Sequence, residues 1–173
     1  MKILLLDGYT PHPEAQGKLT HALVATSQKA LQRRHDVQTS TVHAYDAATE
    51  AQKWQWADLI ILHFPVYWYA VPWGLKRYLD EVLAKQVFYT TDQAGRIQGM
   101  MTGKHFAYVT SLAATQQALE GGPGITNLLA PLSASLAFCG LTPSPQIANH
   151  IFYDVYGTRP SLAQWLTTLS PLL

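Results

Sequence analysis

The sequence predicts a doubly wound α/β domain built on a five-stranded parallel sheet. Short runs that are apolar at every position, such as Ile3–Leu6, alternate with longer segments whose apolar residues recur at the helical period. A fully apolar strand suits the centre of a parallel sheet, where helices cover both faces. The strand–helix unit repeats about every 30 residues, which is the length of a parallel β-α-β crossover.

The composition indicates one domain with a large core and no polyanion-binding surface. The chain has 173 residues, of which 48% are hydrophobic and 13% are charged, so we expect an apolar interface as well as a core. The net charge of +1 excludes the basic surface that nucleic acids and anionic membranes select. No nucleic-acid partner is therefore expected.

Cysteine usage and hydropathy further limit the class of protein to which the chain can belong. Cys139 is the only cysteine, so we expect no internal disulfide and no cysteine-based metal site. No apolar run reaches the ~18 residues of a membrane span, and the apolar start of the chain is too short for a signal peptide. We therefore expect a cytoplasmic protein that holds no metal.

The first strand–helix unit opens the chain. Residues 3–6 form a strand, and the polar, proline-containing residues 9–16 form a loop. A helix is predicted over 17–34, because Leu19 and Leu23 begin an apolar series at the helical period and the last turn is basic.

The second and third units follow the same order. Residues 35–42 carry β-branched side chains at strand spacing, and residues 46–57 have a helical pattern. Residues 58–64 form the third strand. The helix predicted over 71–83 turns Leu75 and the apolar residues that follow it toward the core.

A long polar segment, 87–102, separates the third unit from the last two, and its composition predicts a loop or a small insertion. The fourth strand is predicted over 105–112, and an unusually apolar helix over 125–139. A short fifth strand is predicted over 146–150. A final helix over 160–169 has a proline at its start.

Five strands in this alternation predict the flavodoxin-like order 2-1-3-4-5. In such a sheet, ligands bind beyond the C-terminal strand ends, at the switch between strands 1 and 3. Three loops of unusual composition meet there, and they are 9–20, 65–73 and 111–124.

The loop after the first strand has the features of a phosphate site. Gly17 lets the backbone approach a ligand closely, Lys18 adds charge, and Thr20 adds a hydroxyl at the start of a helix whose free N–H groups attract anions. The alternative is ordinary helix capping by Gly17 and Thr20. The segment is neither a Walker loop nor a G-x-G-x-x-G motif.

The loop after the third strand is crowded with aromatic side chains. Tyr67, Trp68 and Tyr69 lie between Pro65 and Pro72, Trp73 follows directly, and these rings offer faces to a flat heterocycle. The alternative is that these rings pack under a helix or across a dimer interface. The density of aromatics on a loop favours a ligand.

The remaining reactive side chains favour structural roles. His12 and His63 are isolated and lack metal-ligand spacing, and Cys139 lies within an apolar helix as a small core residue. Asp7 lacks the acidic neighbours of a phosphoacceptor, and Asp80–Glu81 indicates a solvated helix face. No G-x-S-x-G elbow occurs.

The aromatic loop and the helix after it carry a family signature. Residues 65–82 match the pattern P-x-x-W-[YFM]-x-x-P-x-x-x-K-x-[YW]-[ILMF]-[DE]-x-V. By this pattern the chain resembles the flavodoxin-fold NAD(P)H:quinone oxidoreductases. Within them, Gly17-x-Leu19 is similar to the branch called modulator of drug activity B, and residues 138–141 are similar to the Kef potassium-efflux ancillary oxidoreductases.

This resemblance implies a bound flavin and a set of residues that hold it. The flavin phosphates would lie on Gly17, Lys18, Leu19 and Thr20, the ring against Pro65, Val66, Tyr67, Trp68 and Tyr69, and the polar ring edge under Ala113, Ala114 and Thr115. The long first loop resembles the FAD-using branch, so FAD is the expected cofactor and FMN the alternative.

The resemblance also implies an activity and partners. NAD(P)H would be the electron-donating substrate and a quinone or similar molecule the acceptor, with two electrons transferred in a ping-pong cycle. A homodimer is expected through the helices that follow strands 3 and 4. The alternatives are a flavin-bearing regulatory subunit of a cation-efflux transporter, which gives a possible membrane-transporter partner, and a flavodoxin-type electron carrier.

The chain departs from the family pattern after the fourth strand. Many relatives carry Thr-Thr-Gly-Gly there, whereas this sequence has Ala113 and Ala114 followed by Thr115. Backbone N–H groups can still act as donors at these positions. No tyrosine–histidine pair follows in 115–124, so the catalytic acid or base is unknown.

Overall fold

The computed structural model describes all 173 residues and has three layers, with a parallel sheet between two sets of helices. The strands are β1 (Lys2–Asp7), β2 (Asp36–Thr41), β3 (Leu59–Pro65), β4 (Tyr89–Thr91), β5 (Ile97–Gly99), β6 (His105–Ser111), β7 (Thr142–Pro143) and β8 (His150–Phe152). The helices are α1 (Lys18–Leu31), α2 (Ala47–Trp56), α3 (Trp73–Val82), α4 (Gln116–Glu120), α5 (Gly124–Phe138) and α6 (Leu162–Leu169).

The main sheet confirms the predicted fold class and strand order. Its order is β2-β1-β3-β6-β7, which is the order 2-1-3-4-5 when the five sheet positions are numbered along the chain. All pairs are parallel, and the register places Asp7 opposite His63 and Pro65 opposite Ser111. The C-terminal ends of β1, β3 and β6 therefore lie side by side, and the loops that follow them meet at one edge.

Each face of the sheet packs against its own helices. On one face, residues such as Leu4, Leu62 and Tyr108 pack with α2, α3 and α5. On the other face, Ile61 and its neighbours pack with α1 and α6. This two-sided burial explains why the central strands are apolar at every position.

The fifth sheet position differs from the predicted strand over 146–150. Two short strands, β7 and β8, pair there with opposite ends of β6, and only His150 of the predicted range belongs to a strand. Pro143 and Pro145 interrupt a continuous ladder because proline has no N–H to donate. Between the two pieces, the Asn149 side chain accepts the Tyr108 N–H at 2.9 Å in place of a strand carbonyl.

Two segments predicted as loops contain short regular elements. Residues 87–102 form an antiparallel hairpin of β4 and β5, whose turn is closed by the Asp92 carboxylate accepting the Ala94 and Arg96 N–H groups at 2.9 Å. Residues 113–124 contain the single-turn helix α4. Neither element is long enough to show a hydrophobic period. None of the helices has the length and hydropathy needed to cross a bilayer.

Candidate functional site

A large cavity lies at the sheet edge where β1 and β3 end. It has a volume of about 810 Å³, within the range of small-molecule and cofactor sites. Three of its walls come from the loop after β1 together with the start of α1, from the loop after β3, and from the first residues after β6. A fourth wall, which the sequence did not predict, comes from the segment between β8 and α6.

One end of this cavity is the uncapped N-terminus of α1. Gly17 is the N-cap residue and supplies no side-chain hydrogen bond. The first intrahelical bond of this turn runs from the His21 N–H to the Gly17 carbonyl at 2.9 Å, and the N–H groups of residues 18–20 have no acceptor within the protein. Three free N–H groups at the positive end of a helix form a site for an anion.

The loop that leads into α1 is fixed by Tyr9. Its hydroxyl donates to the Ala15 carbonyl at 2.9 Å, and its N–H donates to Asp7 at 3.0 Å. Asp7 also contacts His21 Nδ1 at 2.6 Å. Gly17 has φ +70°, and a Cβ at this position would lie 2.7 Å from the Tyr9 ring, so only glycine fits.

The loop after β3 presents aromatic rings on a strained turn. Tyr67 and Ala70 exchange two backbone hydrogen bonds of 3.0 Å, and the residues between them, Trp68 and Tyr69, have φ of 47° and 60°. Positive φ at bulky residues costs roughly 1–3 kcal/mol each and is concentrated at functional sites. The Trp68 side chain is 88% exposed, so its ring is available to a ligand or a partner.

Tyr67 connects the aromatic turn to the loop after β1. Its hydroxyl donates to the Thr10 carbonyl at 3.2 Å, and its ring stacks on His12 with centroids 4.5 Å apart. Partial burial raises the pKa of Tyr67 to about 12, so the phenol stays protonated and remains a donor. The two loops therefore form one continuous wall.

The start of the loop after β6 completes the part of the cavity that was predicted. The Leu112 N–H donates to Phe152 at 3.0 Å, whereas the Ala113 and Ala114 N–H groups have no acceptor in the protein. Ala113 lines the cavity. The backbone donors expected at this loop are thus free, even though its side chains lack hydroxyl groups.

The cavity brings together most of the site residues named from the sequence, and they are Gly17, Lys18, Leu19, Thr20, Pro65, Val66, Tyr67, Trp68 and Ala113. Three others do not line it. Tyr69 faces a neighbouring groove, Ala114 accepts the Asp154 N–H through its carbonyl at 3.0 Å, and Thr115 caps α4 by accepting the Ala118 N–H at 3.1 Å.

The fourth wall contains the lining residues that sequence reasoning missed, which are Val155, Tyr156, Arg159, Pro160 and Leu162. The Tyr156 hydroxyl donates to the Glu14 carbonyl at 3.1 Å and so bridges 142 positions of sequence. No local pattern marks this contact. The only local signal is a tyrosine and an arginine between two predicted elements.

Two side chains for which the sequence favours structural roles are buried in the structure. His63 is fully buried and contacts Ser27 Oγ at 3.0 Å, and burial lowers the pKa of His63 to about 4. Burial raises the pKa of the Cys139 thiol to about 11, which suits a core residue and not a nucleophile. No group of three or more metal-ligating side chains is assembled anywhere in the structure.

A second groove of about 710 Å³ lies between α3 and α5. Its lining is mostly apolar and includes Val71, Leu79, Leu132 and Phe138. The Phe138 side chain is 43% exposed at one end of the groove. This is the surface on which the sequence predicted a dimer contact.

The main cavity fits a flavin by two independent observations. At the start of α1 the cavity offers free N–H donors, as a phosphate requires. These donors follow Gly17, a position where only glycine fits. The other end of the cavity offers Tyr67 and Trp68 beside the free Ala113 N–H, as a flat heterocycle with a polar edge requires.

A parallel sheet of this order with a cavity at its β1–β3 switch defines the doubly wound α/β proteins that bind a cofactor beyond the strand ends. The chain belongs to the family described as having a flavodoxin-like fold, which it matches over residues 1–166. The family resemblance inferred from the aromatic loop is thereby confirmed.

Individual relatives agree with this assignment. The chain is 38% identical over 85 residues to NADPH:quinone oxidoreductase MdaB of Haemophilus influenzae, an alignment that covers 48% of this chain and 44% of that protein. It is 35% identical over 107 residues to the glutathione-regulated potassium-efflux system ancillary protein KefF of Salmonella arizonae, covering 61% and 58%. The matched regions thus span about half the length of these relatives.

A solved structure supports the fold over the whole chain. General stress protein 14 of Treponema denticola, crystallised in complex with FMN, superposes with a TM-score of 0.72 at 20% identity and covers 99% of both chains. At this level of identity the likeness establishes the fold.

Proposed function

We propose that this protein is a flavin-dependent NAD(P)H:quinone oxidoreductase. The observation that carries the proposal is the pairing, on one cavity, of an uncapped helix N-terminus with an exposed aromatic turn at the β1–β3 switch. The likeness to MdaB, which is named as an NADPH:quinone oxidoreductase, supports the choice of substrates. At the level of the family, this likeness supports an oxidoreductase activity.

In this proposal the chain binds and orients the cofactor. The N–H groups of residues 18–20 hold the phosphate, with Lys18 adding positive charge. Val66, Tyr67 and Trp68 support the ring, and the Ala113 N–H faces its polar edge. Bound flavin would supply two-electron transfer from NAD(P)H to a quinone in a ping-pong cycle.

We propose FMN as the flavin, in place of the FAD expected from the sequence. The FAD expectation rested on the first loop alone. The structurally similar general stress protein 14 is in complex with FMN. FMN carries one phosphate, which the uncapped start of α1 can bind.

We further propose a homodimer formed through the groove between α3 and α5. The groove is apolar, and exposed aromatic residues such as Trp73 and Phe138 flank the adjoining surface. Large apolar patches on a globular protein mark interaction sites. In such a dimer, the exposed Trp68–Tyr69 turn lies beside the same surface, because Tyr69 lines the groove.

The decisive experiment is an absorbance spectrum of the purified protein with the mass of the released cofactor, followed by NAD(P)H oxidation assays with a quinone. We expect the visible bands of an oxidised flavin, the mass of FMN, and quinone-dependent turnover. A protein that remains colourless after reconstitution with either FMN or FAD would contradict the proposal.

A second candidate is an ancillary subunit of a membrane transporter. The likeness to KefF and the three exposed aromatics Trp68, Tyr69 and Trp73 favour it. A flavin-loaded protein without quinone turnover that co-purifies with an antiporter would support this candidate over the enzyme. Quinone-dependent NAD(P)H oxidation at enzymatic rates would instead favour the oxidoreductase.

A further inference from the structure

The fourth wall of the cavity carries a positive charge that the three loops at the strand ends do not supply. Arg159 lies on this wall, between β8 and α6. We propose that Arg159 binds the phosphate group of the bound flavin together with the N-terminus of α1. The inference rests on the proposed function, because it takes a flavin to be the ligand.

The wall is fixed to the other loops of the site by hydrogen bonds. The Tyr156 hydroxyl donates to the Glu14 carbonyl at 3.1 Å, and the Asp154 N–H donates to the Ala114 carbonyl at 3.0 Å. The Val155 N–H donates to the Leu112 carbonyl at 3.3 Å. The segment is therefore anchored both to the loop after β1 and to the loop after β6.

The turn just before Arg159 is also defined. Asp154 has φ of 50°, and its carboxylate accepts the Gly157 N–H and the Thr158 hydroxyl, each at 3.2 Å. The Thr158 N–H donates to the Asp154 carbonyl at 2.7 Å. These bonds fix the backbone from which the Arg159 side chain extends.

Apolar packing joins the helix that follows this turn to α1. Leu162, the first residue of α6, and Leu19, the second residue of α1, pack against the same apolar cluster, and the two helices are in contact. Arg159 precedes Leu162 by three residues and lines the same cavity as Lys18. The Arg159 side chain and the free N–H groups of α1 thus line the same cavity.

The charges of the lining favour an anion. Neither the Arg159 side chain nor the Lys18 side chain makes a hydrogen bond or an ion pair, and Glu14 is the only acidic residue in the lining. A guanidinium presents several N–H donors in one plane, which match the oxygens of a phosphate. A phosphate monoester is the anionic group that FMN has and riboflavin lacks.

This difference between two ligands gives a direct test. FMN and riboflavin would each be titrated into flavin-free protein, with binding followed by flavin fluorescence. In Arg159→Gln, we expect FMN affinity to fall about tenfold, as for loss of one charge-assisted hydrogen bond, while riboflavin affinity is unchanged. Arg159→Lys should lose less, because it keeps the charge but not the planar donors.

Arg34→Gln is the matched control, because it removes one positive charge beyond the opposite end of α1, where Arg34 is exposed. It should leave FMN affinity unchanged. Equal losses for FMN and riboflavin in Arg159→Gln would overturn the inference, as would an effect confined to the KM ratio of NADPH to NADH. Retained FMN affinity in Arg159→Gln overturns this inference alone, whereas an unaltered protein that binds no flavin overturns the proposed function.

Discussion

Gly17 is the residue where the backbone of the phosphate end is most constrained. Its φ of +70° and the nearby Tyr9 ring, 2.7 Å from any Cβ, act together. In Gly17→Ala we expect the unfolding free energy to fall by more than the roughly 1 kcal/mol that positive φ alone costs an alanine. Flavin affinity should fall as well, because Tyr9 or the loop must move. Denaturant unfolding and flavin titration measure the two effects.

Gly95→Ala is the control that separates the cost of positive φ from the cost of the contact with Tyr9. Gly95 has φ of +78°, but a Cβ there meets nothing within 4 Å, so only the backbone penalty applies. We expect a loss of about 1 kcal/mol and unchanged flavin binding. If the two alanine variants lost equal stability and both bound flavin normally, Tyr9 would not be constraining the loop.

His63 makes the stability of the flavin-free protein depend on pH. Burial lowers its pKa from 6.5 to about 4, so the unfolded chain binds this proton more readily than the folded one. Its effect on stability is therefore absent above pH 6.5, grows as the pH falls, and levels off below pH 4. The loss should reach about 3 kcal/mol, measured as unfolding free energy against pH.

His63→Gln is the comparison for this pH dependence. Glutamine keeps a polar group near Ser27, which the histidine contacts at 3.0 Å, but it does not titrate. The relevant quantity is the slope of the unfolding free energy between pH 4 and 6.5, which does not depend on the baseline stability of the variant. Identical slopes in the two proteins would show that His63 is not the responsible group.

At the scale of elements, the turn between β3 and α3 holds the Trp68 ring exposed in a strained backbone conformation, which lowers the stability of the fold. Trp68 has φ of 47°, which glycine adopts without penalty. In Trp68→Gly we expect a gain of about 0.5 kcal/mol, since relief of strain exceeds the chain entropy of glycine. Flavin affinity should nevertheless fall because the ring that lines the cavity is lost.

Gln86→Gly is the control for that turn. Gln86 also has positive φ, 66°, but it lines neither the cavity nor the groove. It should show the same gain in denaturant unfolding and no change in flavin titration. A Trp68→Gly protein that lost stability would mean that the exposed indole makes favourable contacts that outweigh the strain.

Which elements the sequence predicted depends on their length. The central strands and the long helices were predicted correctly, because continuous apolar runs and the helical period are local signals. The fifth sheet position was not, because Thr142–Pro143 and His150–Phe152 are two and three residues long and derive their pairing from β6. For such pieces the tertiary contact decides the conformation, and local preference does not.

At the scale of the whole molecule, the same distinction applies to the cavity. Three of its walls follow strands whose order could be inferred, so residues such as Gly17 and Trp68 were identified from topology and residue type. The fourth wall depends on the Tyr156–Glu14 contact, which joins positions 142 residues apart. Nothing in either segment encodes that contact locally, and so Arg159 was missed.

Assembly is the last property at this scale, and the groove between α3 and α5 gives a definite expectation. Phe138 is 43% exposed at the groove and packs edge-on against Tyr89, with centroids 4.9 Å apart. A carboxylate at this position would be buried unpaired in the proposed dimer, which costs several kcal/mol. We therefore expect Phe138→Asp to be monomeric by sedimentation and light scattering at concentrations where the unaltered protein is dimeric.

Leu173→Asp adds the same charge at a residue that is 37% exposed and outside the groove, and it should stay dimeric. A dimer that survives Phe138→Asp would place the contact on another surface.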